Sequence, residues 1–239
     1  MILACIFVGC NREDAWDMVK TRGAAKTEVR ELPSFNGVRV ASGFNVVFRH
    51  GERYSATLEG WTNLLPKVRL TVDTTGVLNI SDENRFYMVR DVSNKTTVYL
   101  TYNGEINFIG FNSDGQLTSD GKLESSSLLI LSENASGSIS LMLDIAGLAI
   151  GTNSRNAGNL TFTGKCHSVG ITNWGVAPID MQNLQVQQAD ITHRGSANLH
   201  ISVHQRLNVV LSGIGDIYYR GDPELTVDRN GKGNVFKMQ

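Results

Sequence analysis

Three histidines in the last quarter of the chain are the first candidates for chemistry, because imidazole binds metals and transfers protons near neutral pH. His200 and His204 share one face of an alternating strand, where four residues separate them by about 13 Å, too far to bind one ion. His193 lies one repeat earlier, with no acidic residue predicted beside it. The sequence therefore predicts no metal site and no cofactor, and it favours solvated surface positions for all three histidines.

Carboxylates are the second candidates. Asp180, Asp190 and Asp216 could stack as a ladder, as acidic residues do in polysaccharide lyases and glycosidases built on β-helices. Glycoside hydrolysis needs two carboxyl groups close together in a cleft. Asp180 and Asp190 are ten residues apart, about half a repeat, so we expect them on different faces. No catalytic residue is assigned, and a carbohydrate-active enzyme remains the alternative function.

Aromatic side chains are the third candidates, because their rings can stack on sugars. The residues considered are Trp16, Trp61, Trp174, Tyr218 and Tyr219. Trp174 lies at a predicted corner, and Trp174, Tyr218 and Tyr219 are the predicted ligand contacts. For each of them, packing into the core or over a corner is the alternative reading.

Several other chemistries find no support in the sequence. The formal net charge is -1, so there is no basic field to attract nucleic acid. No Ser-His-Asp order, Cys-His pairing, phosphate-binding loop or dinucleotide-binding glycine pattern occurs in a fitting context. Gly213 and Gly215 form a Gly-x-Gly pair, but they lie between two strands, with no helix to bind phosphate.

The first ten residues are apolar and give way at once to Asn11-Arg12-Glu13-Asp14. Ten residues are too few to span a bilayer, and they are typical of the end of a secretory signal. The tetrapeptide Phe7-Val8-Gly9-Cys10 resembles the lipobox of bacterial lipoproteins, although a basic segment is missing before it and Phe7 replaces the usual leucine. We therefore predict a truncated signal segment at 1–10 with lipidation at Cys10. A buried N-terminal strand with a free thiol is the alternative.

Two predictions follow from a lipidated Cys10. Once Cys5 is removed with the signal, Cys166 has no partner for an intramolecular disulfide, and we expect it to be a small buried hydrophobe. Residues 11–34 are polar and of mixed charge, and we interpret them as a tether between the lipid and the folded domain.

The elements that must position these residues are strands. Hydrophobic residues make up 41% of the chain and charged residues 19%, which is a globular composition. Short alternating runs fill residues 35–107 and predict paired strands. In residues 108–239, alternating runs repeat between small-residue corners at intervals of 17 to 21 residues. The corners are Gly137, Gly158, Gly175, Gly195, Gly215 and Gly233.

A repeat near 20 residues made of strands alone predicts a parallel β-solenoid, in which stacked coils share one apolar core. Alternation predicts that Leu199, Ile201 and Val203 point inward. We expect the corner glycines to adopt positive φ, and asparagines of successive coils to stack their side-chain amides. These asparagines are Asn134, Asn153, Asn173 and Asn198. A β-sandwich is the alternative fold.

The segment Leu211-Ser212-Gly213-Ile214-Gly215-Asp216-Ile217-Tyr218-Tyr219-Arg220-Gly221-Asp222-Pro223 carries a family resemblance. It is similar to the small-x-Gly-Asp-Ile-x-Tyr-x-Gly-x-Pro ending of the putative auto-transporter adhesin, head GIN domain family. Residues 35–38, 43–48 and 63–68 follow the opening order of that family, and the similarity spans roughly 28–235. Trp61-Thr62 replaces an acidic pair that is common in the family. The resemblance implies a right-handed β-helix-like domain and a periplasmic or surface lipoprotein with a role in adhesion.

The sequence thus predicts an all-β protein, a right-handed parallel β-helix or solenoid with additional paired strands in its N-terminal third. The domain spans 35–239, with strands at 35–107 and coils at 108–239. The predicted function is that of a non-enzymatic, lipid-anchored outer-membrane protein of the cell envelope that acts as an adhesin or as a binding or structural module. Its expected partners are the membrane and an envelope protein or glycan. The oligomeric state stays open.

Overall fold

The computed structural model describes residues 23–41, 43–84 and 95–239. Its strands form a single 16-stranded sheet, which winds into a β-solenoid of about six turns. Within the described ranges there is no α-helix, and one 3₁₀ turn spans Leu65–Lys67. The predicted all-β solenoid with paired strands at its N-terminal end is confirmed.

The N-terminal third contains seven strands. They are β1 (Ala25–Glu31), β2 (Gly37–Val40), β3 (Phe44–His50), β4 (Ser55–Trp61), β5 (Val68–Val72), β6 (Val77–Asp82) and β7 (Thr96–Tyr102). β2 and β3 pair in parallel with strands of the following coil, and β6 and β7 pair in parallel with β2 and β3. The solenoid therefore extends into this third before antiparallel strands end it.

The remaining strands form the stacked coils. They are β8 (Phe108–Phe111), β9 (Gln116–Ser132), β10 (Ser138–Thr152), β11 (Leu160–Asn173), β12 (Ile179–His193), β13 (Leu199–Leu211), β14 (Ile217–Arg220), β15 (Glu224–Arg229) and β16 (Val235–Lys237). From β9 to β13, each strand pairs in parallel with the strand one coil earlier and one coil later.

In-register stacking places inward side chains in files along the coil axis. One file runs through the first inward position of six successive coils, at spacings of 18 to 22 residues. Its members are Leu117, Ile139, Leu160, Ile179, Leu199 and Ile217, all at most 1% exposed. Burying one such side chain contributes about 1.5–3 kcal/mol, so the files hold the coils together. Ile201 and Val203 are also fully buried, as predicted.

The corner glycines serve close approach between coils, and the prediction of positive φ at these corners is wrong. Not one of the six corner glycines named from the sequence adopts positive φ. A Cβ built on Gly137 would lie 1.9 Å from the Gly115 carbonyl oxygen, and one on Gly158 would lie 1.6 Å from that of Gly137. Each corner backbone thus packs directly on the corner below it. Positive φ occurs instead at other bends, such as Gly164 at +104°.

The tether predicted over residues 11–34 must be corrected where the structure describes it. Residues 25–31 form β1, which pairs antiparallel with β4 at the N-terminal end of the solenoid. β1 is a mostly exposed edge strand of polar residues, so it lacks the apolar alternation from which the other strands were recognised. The earlier part of the tether lies outside the described residues.

The side chain of Arg30 closes this end of the coil. Its guanidinium donates hydrogen bonds to the Val68 carbonyl at 2.6 Å and the Leu65 carbonyl at 2.8 Å. Its Nε also lies 2.8 Å from a Glu28 carboxylate oxygen, and the other oxygen of Glu28 lies 2.9 Å from Lys26 Nζ. The N-terminal edge is therefore covered by linked charges.

The glycine stack can be tested with a matched pair of substitutions. Gly158→Ala forces a methyl group into the backbone of the coil below, so we expect a loss of about 2 kcal/mol or more in the free energy of unfolding. A Cβ on Gly170 meets no atom within 4 Å, so Gly170→Ala should leave stability unchanged or slightly raised. Urea titrations of both variants give the comparison. Equal stabilities would contradict the role given to the corners.

Candidate functional site

A shallow groove of about 630 Å³ runs along one outer face of the coils. Outward positions of successive strands line it in two adjacent files. The first file is Leu129, Ala149, Gly170, Asp190 and Asn208, and the second is Leu131, Gly151, Thr172, Thr192 and Val210. The middle coils carry small residues at these positions and the outer coils carry larger ones, so the surface sinks between them. The result is an open trough whose floor is Ala149, Gly151 and Gly170.

Polar groups occupy both files of this groove toward its C-terminal coils. Asn208 Nδ2 donates to Asp190 Oδ1 at 2.7 Å, and an Arg206 guanidinium nitrogen lies 3.7 Å from Asp190 Oδ2. Thr172 is exposed and Thr192 half-buried, so their hydroxyl groups can meet a bound molecule. The groove therefore offers an apolar floor beside hydrogen-bonding groups, which is the composition of many ligand sites.

Trp174 lies at the corner between β11 and β12, as predicted, and is 47% exposed. The Arg194 guanidinium, from the corner of the next coil, lies 4.4 Å from the centre of its ring. This cation–π contact covers one face of the indole. A role for Trp174 in ligand contact stays a prediction.

Tyr218 and Tyr219 point to opposite sides of β14. The Tyr218 ring stacks between His200, at a centroid distance of 4.9 Å, and Phe236, at 5.3 Å. Both of its faces are thus covered by protein, and its hydroxyl group donates to Asp216 Oδ2 at 3.4 Å, which leaves mainly the ring edge for any ligand. Tyr219 packs against the core. Trp174 and Tyr218 belong to different files, because Trp174 precedes the corner and Tyr218 aligns with His200 on the strand beyond it.

The histidines divide into two groups. His200 is half-buried and His204 exposed on the outer face, as predicted. His193 is fully buried, so its predicted surface position is wrong. The alternation Ala189, Ile191, His193 along β12 points all three inward, and this pattern was the signal that could have identified the buried ring.

His193 belongs to a polar file inside the solenoid. In register, its members are Ser132, Thr152, Asn173 and His193. Thr152 Oγ1 donates to Asn173 Oδ1 at 2.6 Å, and Asn173 Nδ2 lies 3.2 Å from His193 Nδ1. His193 Nε2 makes no well-formed hydrogen bond to a described residue, although the Ala197 carbonyl lies near the ring.

Burial lowers the pKa of His193, an effect that the Ala197 carbonyl and the Asp216 carboxylate partly oppose. The folded protein thus holds a neutral imidazole in its interior. Gly215 makes room for this ring, because a Cβ there would lie 2.7 Å from His193 Nε2.

The asparagines give a mixed result. Asn153 Nδ2 donates to Asn134 Oδ1 at 3.4 Å, so this pair of corner amides meets between coils as expected. Asn173 instead bonds to the buried His193 ring. The side chain of Asn198 accepts from the Asp216 backbone N–H at 3.1 Å, which ties one corner to the next.

The carboxylates occupy separate local contacts. Asp180 aligns with His200, and Asp190 aligns with Asn208 in the groove, so the two carboxylates belong to different files. Asp180 accepts from the Gln182 backbone N–H at 3.0 Å, and Asp216 from the Asn234 N–H at 2.8 Å. Within the described ranges, no group of three or more histidine, cysteine or acidic side chains could hold a metal ion.

Of the three cysteines, the structure describes Cys166 alone. The predicted lipidation site Cys10 and the candidate Trp16 lie outside the described residues. Cys166 is 3% exposed, which confirms the expected buried position. Burial raises the pKa of its thiol to about 11, so the group stays protonated at neutral pH.

In the part of the chain that is described, no helix is long and apolar enough to cross a bilayer.

A family model described as "Putative auto-transporter adhesin, head GIN domain" matches residues 34–223. This match covers most of the chain, and the chain belongs to that family, a class of adhesin-like proteins of the cell surface or envelope. No curated protein matches the sequence.

Solved structures share the fold at low sequence identity. A putative adhesin from Bacteroides fragilis NCTC 9343 has a TM-score of 0.82 and 18% identity, over 90% of this chain and 97% of its own. A putative adhesin from Parabacteroides merdae ATCC 43184 has a TM-score of 0.63 and 17% identity, over 91% and 97%. A putative lipid binding protein from Parabacteroides distasonis ATCC 8503 has a TM-score of 0.55 and 16% identity, over 91% and 98%.

The buried histidine makes stability depend on pH. An unfolded chain protonates His193 near its ordinary pKa of about 6.5, whereas the folded chain resists protonation because its pKa is lowered. The free energy of unfolding should therefore decrease as the pH falls below that value.

Denaturant titrations at pH 7.5 and pH 5.0 measure this effect. His193→Asn should reduce the difference between the two pH values, whatever it does to stability at pH 7.5. His204→Asn is the control and should keep the wild-type difference, because it leaves the buried ring in place. A pH response identical in wild type and His193→Asn would exclude the buried imidazole as its source.

Proposed function

We propose that this protein is a non-enzymatic, lipid-anchored adhesin of the bacterial outer membrane, whose solenoid presents a ligand-binding face. Family membership supports the adhesin role. The lipobox-like residues 7–10 support the anchor, with Cys10 as the acylated residue. One acyl chain binds a membrane weakly and several bind it firmly, so a multiply acylated cysteine could hold the domain at the bilayer.

The groove on the outer face is the observation that carries the binding proposal. Its floor of Ala149, Gly151 and Gly170 suits the C–H face of a sugar ring, and its polar groups suit the hydroxyl groups. Asp190 and Asn208 supply a linked acceptor and donor, since they already share a hydrogen bond of 2.7 Å. We infer that a surface glycan is the ligand, and a partner protein of the envelope is the alternative.

The groove is also rigid, which suits a repeated linear ligand. It is built on the central pairs of the sheet, from β9 to β13, whose strands are hydrogen-bonded on both sides. Its side chains repeat once per coil, at the strand spacing of about 4.8 Å. A preformed surface loses little conformational entropy on binding.

A carbohydrate-active enzyme is the second function to consider. Asp190 in the groove is its best candidate acid. The Asp190 carboxylate is engaged by Asn208 and Arg206, and Asp180 and Asp216 belong to other contacts. Glycosidases instead set two carboxyl groups across one cleft. We therefore favour binding without turnover.

The anchor is tested by metabolic labelling with an alkyne-modified fatty acid in a bacterial host that processes lipoproteins. The wild-type protein, expressed from its natural gene, should incorporate the label. The Cys10→Ala variant should not be labelled and should appear in the soluble fraction. Cys166→Ala is the matched control and should remain labelled. Label retained in Cys10→Ala would disprove acylation at this position.

The groove is tested on a glycan array with the purified domain. Gly170→Trp places a large side chain in open space at the centre of the groove, so we expect at least a tenfold loss of binding without loss of stability. Ser140→Trp adds the same side chain at an exposed position away from the groove and should bind like wild type. Parallel assays for shortened or unsaturated products test for turnover. Equal binding by both variants would place the ligand elsewhere.

A further inference from the structure

The last rung of the solenoid has an open edge. β15 pairs with β13 and β16 pairs with β14, each through one of its two edges. Among the described residues, no strand pairs with their other edges. Unpaired N–H and C=O groups in such an edge are a template for another strand.

The apolar core is also incomplete at this end. Leu207 and Val209 are buried, at 0% and 2% exposure, whereas the residues stacked on them, Leu225 and Val227, are each 40% exposed. Phe236 ends the aromatic stack of His200 and Tyr218 and is 44% exposed. A strand added on β15, level with β16, would cover Leu225 and Val227 in the manner of the preceding coils.

The two ends of the solenoid differ in whether inward charged side chains protect the edge strand. At the N-terminal end, Glu28 and Arg30 lie on the core side of edge strand β1, and Arg30 is bonded across the end to the Leu65 and Val68 carbonyls. Inward charges of this kind block the addition of a strand. At the C-terminal end, the inward positions of β15 are Leu225, Val227 and, at the end of the strand, Arg229. The Arg229 guanidinium donates to Asn234 Oδ1, so the first two inward positions are apolar and carry no charge.

The outward positions of β15 define the charge of an incoming strand. Glu224 and Asp228 are both exposed and lie on the same face. Within the described ranges the Glu224 carboxylate has no ion pair, because the Arg206 beneath it points to Asp190. Asp228 accepts one hydrogen bond, from Asn230.

We propose that this end of the solenoid binds an extended segment of a partner protein as an added β-strand. The segment carries apolar side chains over Leu225 and Val227 and basic side chains over Glu224 and Asp228. Its backbone continues the sheet, as in other cases of recognition by strand addition. This site is independent of the groove proposed above.

A second copy of the chain fits this edge poorly. Two β15 strands can pair antiparallel about Val227, which sets Leu225 opposite the charged Arg229. They can also pair antiparallel about Thr226, which sets Leu225 opposite Val227. The same register sets Glu224 opposite Asp228 twice, and directly opposed like charges destabilise a sheet. The charge pattern therefore favours a different, basic partner.

The probe is a fluorescent peptide, Thr-Lys-Val-Thr-Val-Lys-Thr, which reads the same in both directions and so fits either strand orientation. Fluorescence anisotropy with the full domain should show saturable binding that weakens as salt rises. A peptide with both lysines replaced by glutamate should bind at least tenfold more weakly.

Charge reversal gives the sharpest test. Glu224→Lys combined with Asp228→Lys should reverse the preference, so that the glutamate peptide binds more tightly. Glu133→Lys is the matched control, because Glu133 is exposed and directly follows β9, in a different coil from β15. This variant should keep the wild-type preference. Val227→Lys introduces an inward charge and should abolish binding of both peptides, with thermal unfolding used to confirm that it folds.

Two results would overturn the proposal. The first is equal binding of the two peptides to wild type, or a preference that charge reversal does not change. The second is a concentration-dependent dimer in sedimentation that Val227→Lys abolishes, because the occupant would then be a second copy. Glycan binding by Gly170→Trp is measured in a separate experiment. A negative result for strand addition therefore says nothing about ligand binding in the groove.

Discussion

Close stacking of one coil's backbone on the next is the constraint on which the rest of this structure depends. Parallel hydrogen bonding brings strands to about 4.8 Å, and the corners must follow at the same spacing. At Gly137 and Gly158, the space for a side chain is taken by the carbonyl of the coil below. Because the corners stack without offset, inward residues fall into register and form continuous apolar files. Stability in such a protein is a sum over neighbouring coils, so each corner acts mainly on its own two interfaces.

The same register determines what the surface can do. Outward residues also form files, and a short run of small residues in adjacent coils becomes a groove. Larger neighbours at Leu129 and Val210 close that run at its two ends. Inside the solenoid, one file is polar, and it holds Asn173 and His193 together at 3.2 Å. In the solenoid, a periodic sequence therefore produces linear arrays of similar side chains, both in the core and on the outer surface.

Much of the fold could be read from the sequence, because alternation and repeat length are local. The inward positions Leu199, Ile201 and Val203 and the spacing near 20 residues were sufficient for the solenoid. The position of His193 was also encoded in alternation, but its residue type suggested the surface. β1 was missed because the side chains on its core side are the charged Glu28 and Arg30, so the strand shows no apolar alternation.

The groove could not be foreseen for a different reason. The coils differ in length, and the register shifts between Thr161 and Thr163 and between Met181 and Gln185. Which outward residues become neighbours depends on these shifts. Gly170 is beside Ala149 and Asp190 only because of the register that the whole stack adopts, and no local pattern reports it.

The direction of the hydrogen bonds has a mechanical consequence. Bonds between coils run along the long axis of the solenoid, so tension along that axis pulls directly on them, whereas sideways force shears whole strands. The groove occupies the middle coils, β9 to β13. A load applied there and resisted at the N-terminal end would pass through β2, β3 and β7, and the final rungs, β14 to β16, would bear none of it. The terminal rungs therefore need not resist the tension that a bound ligand under flow would place on the other coils.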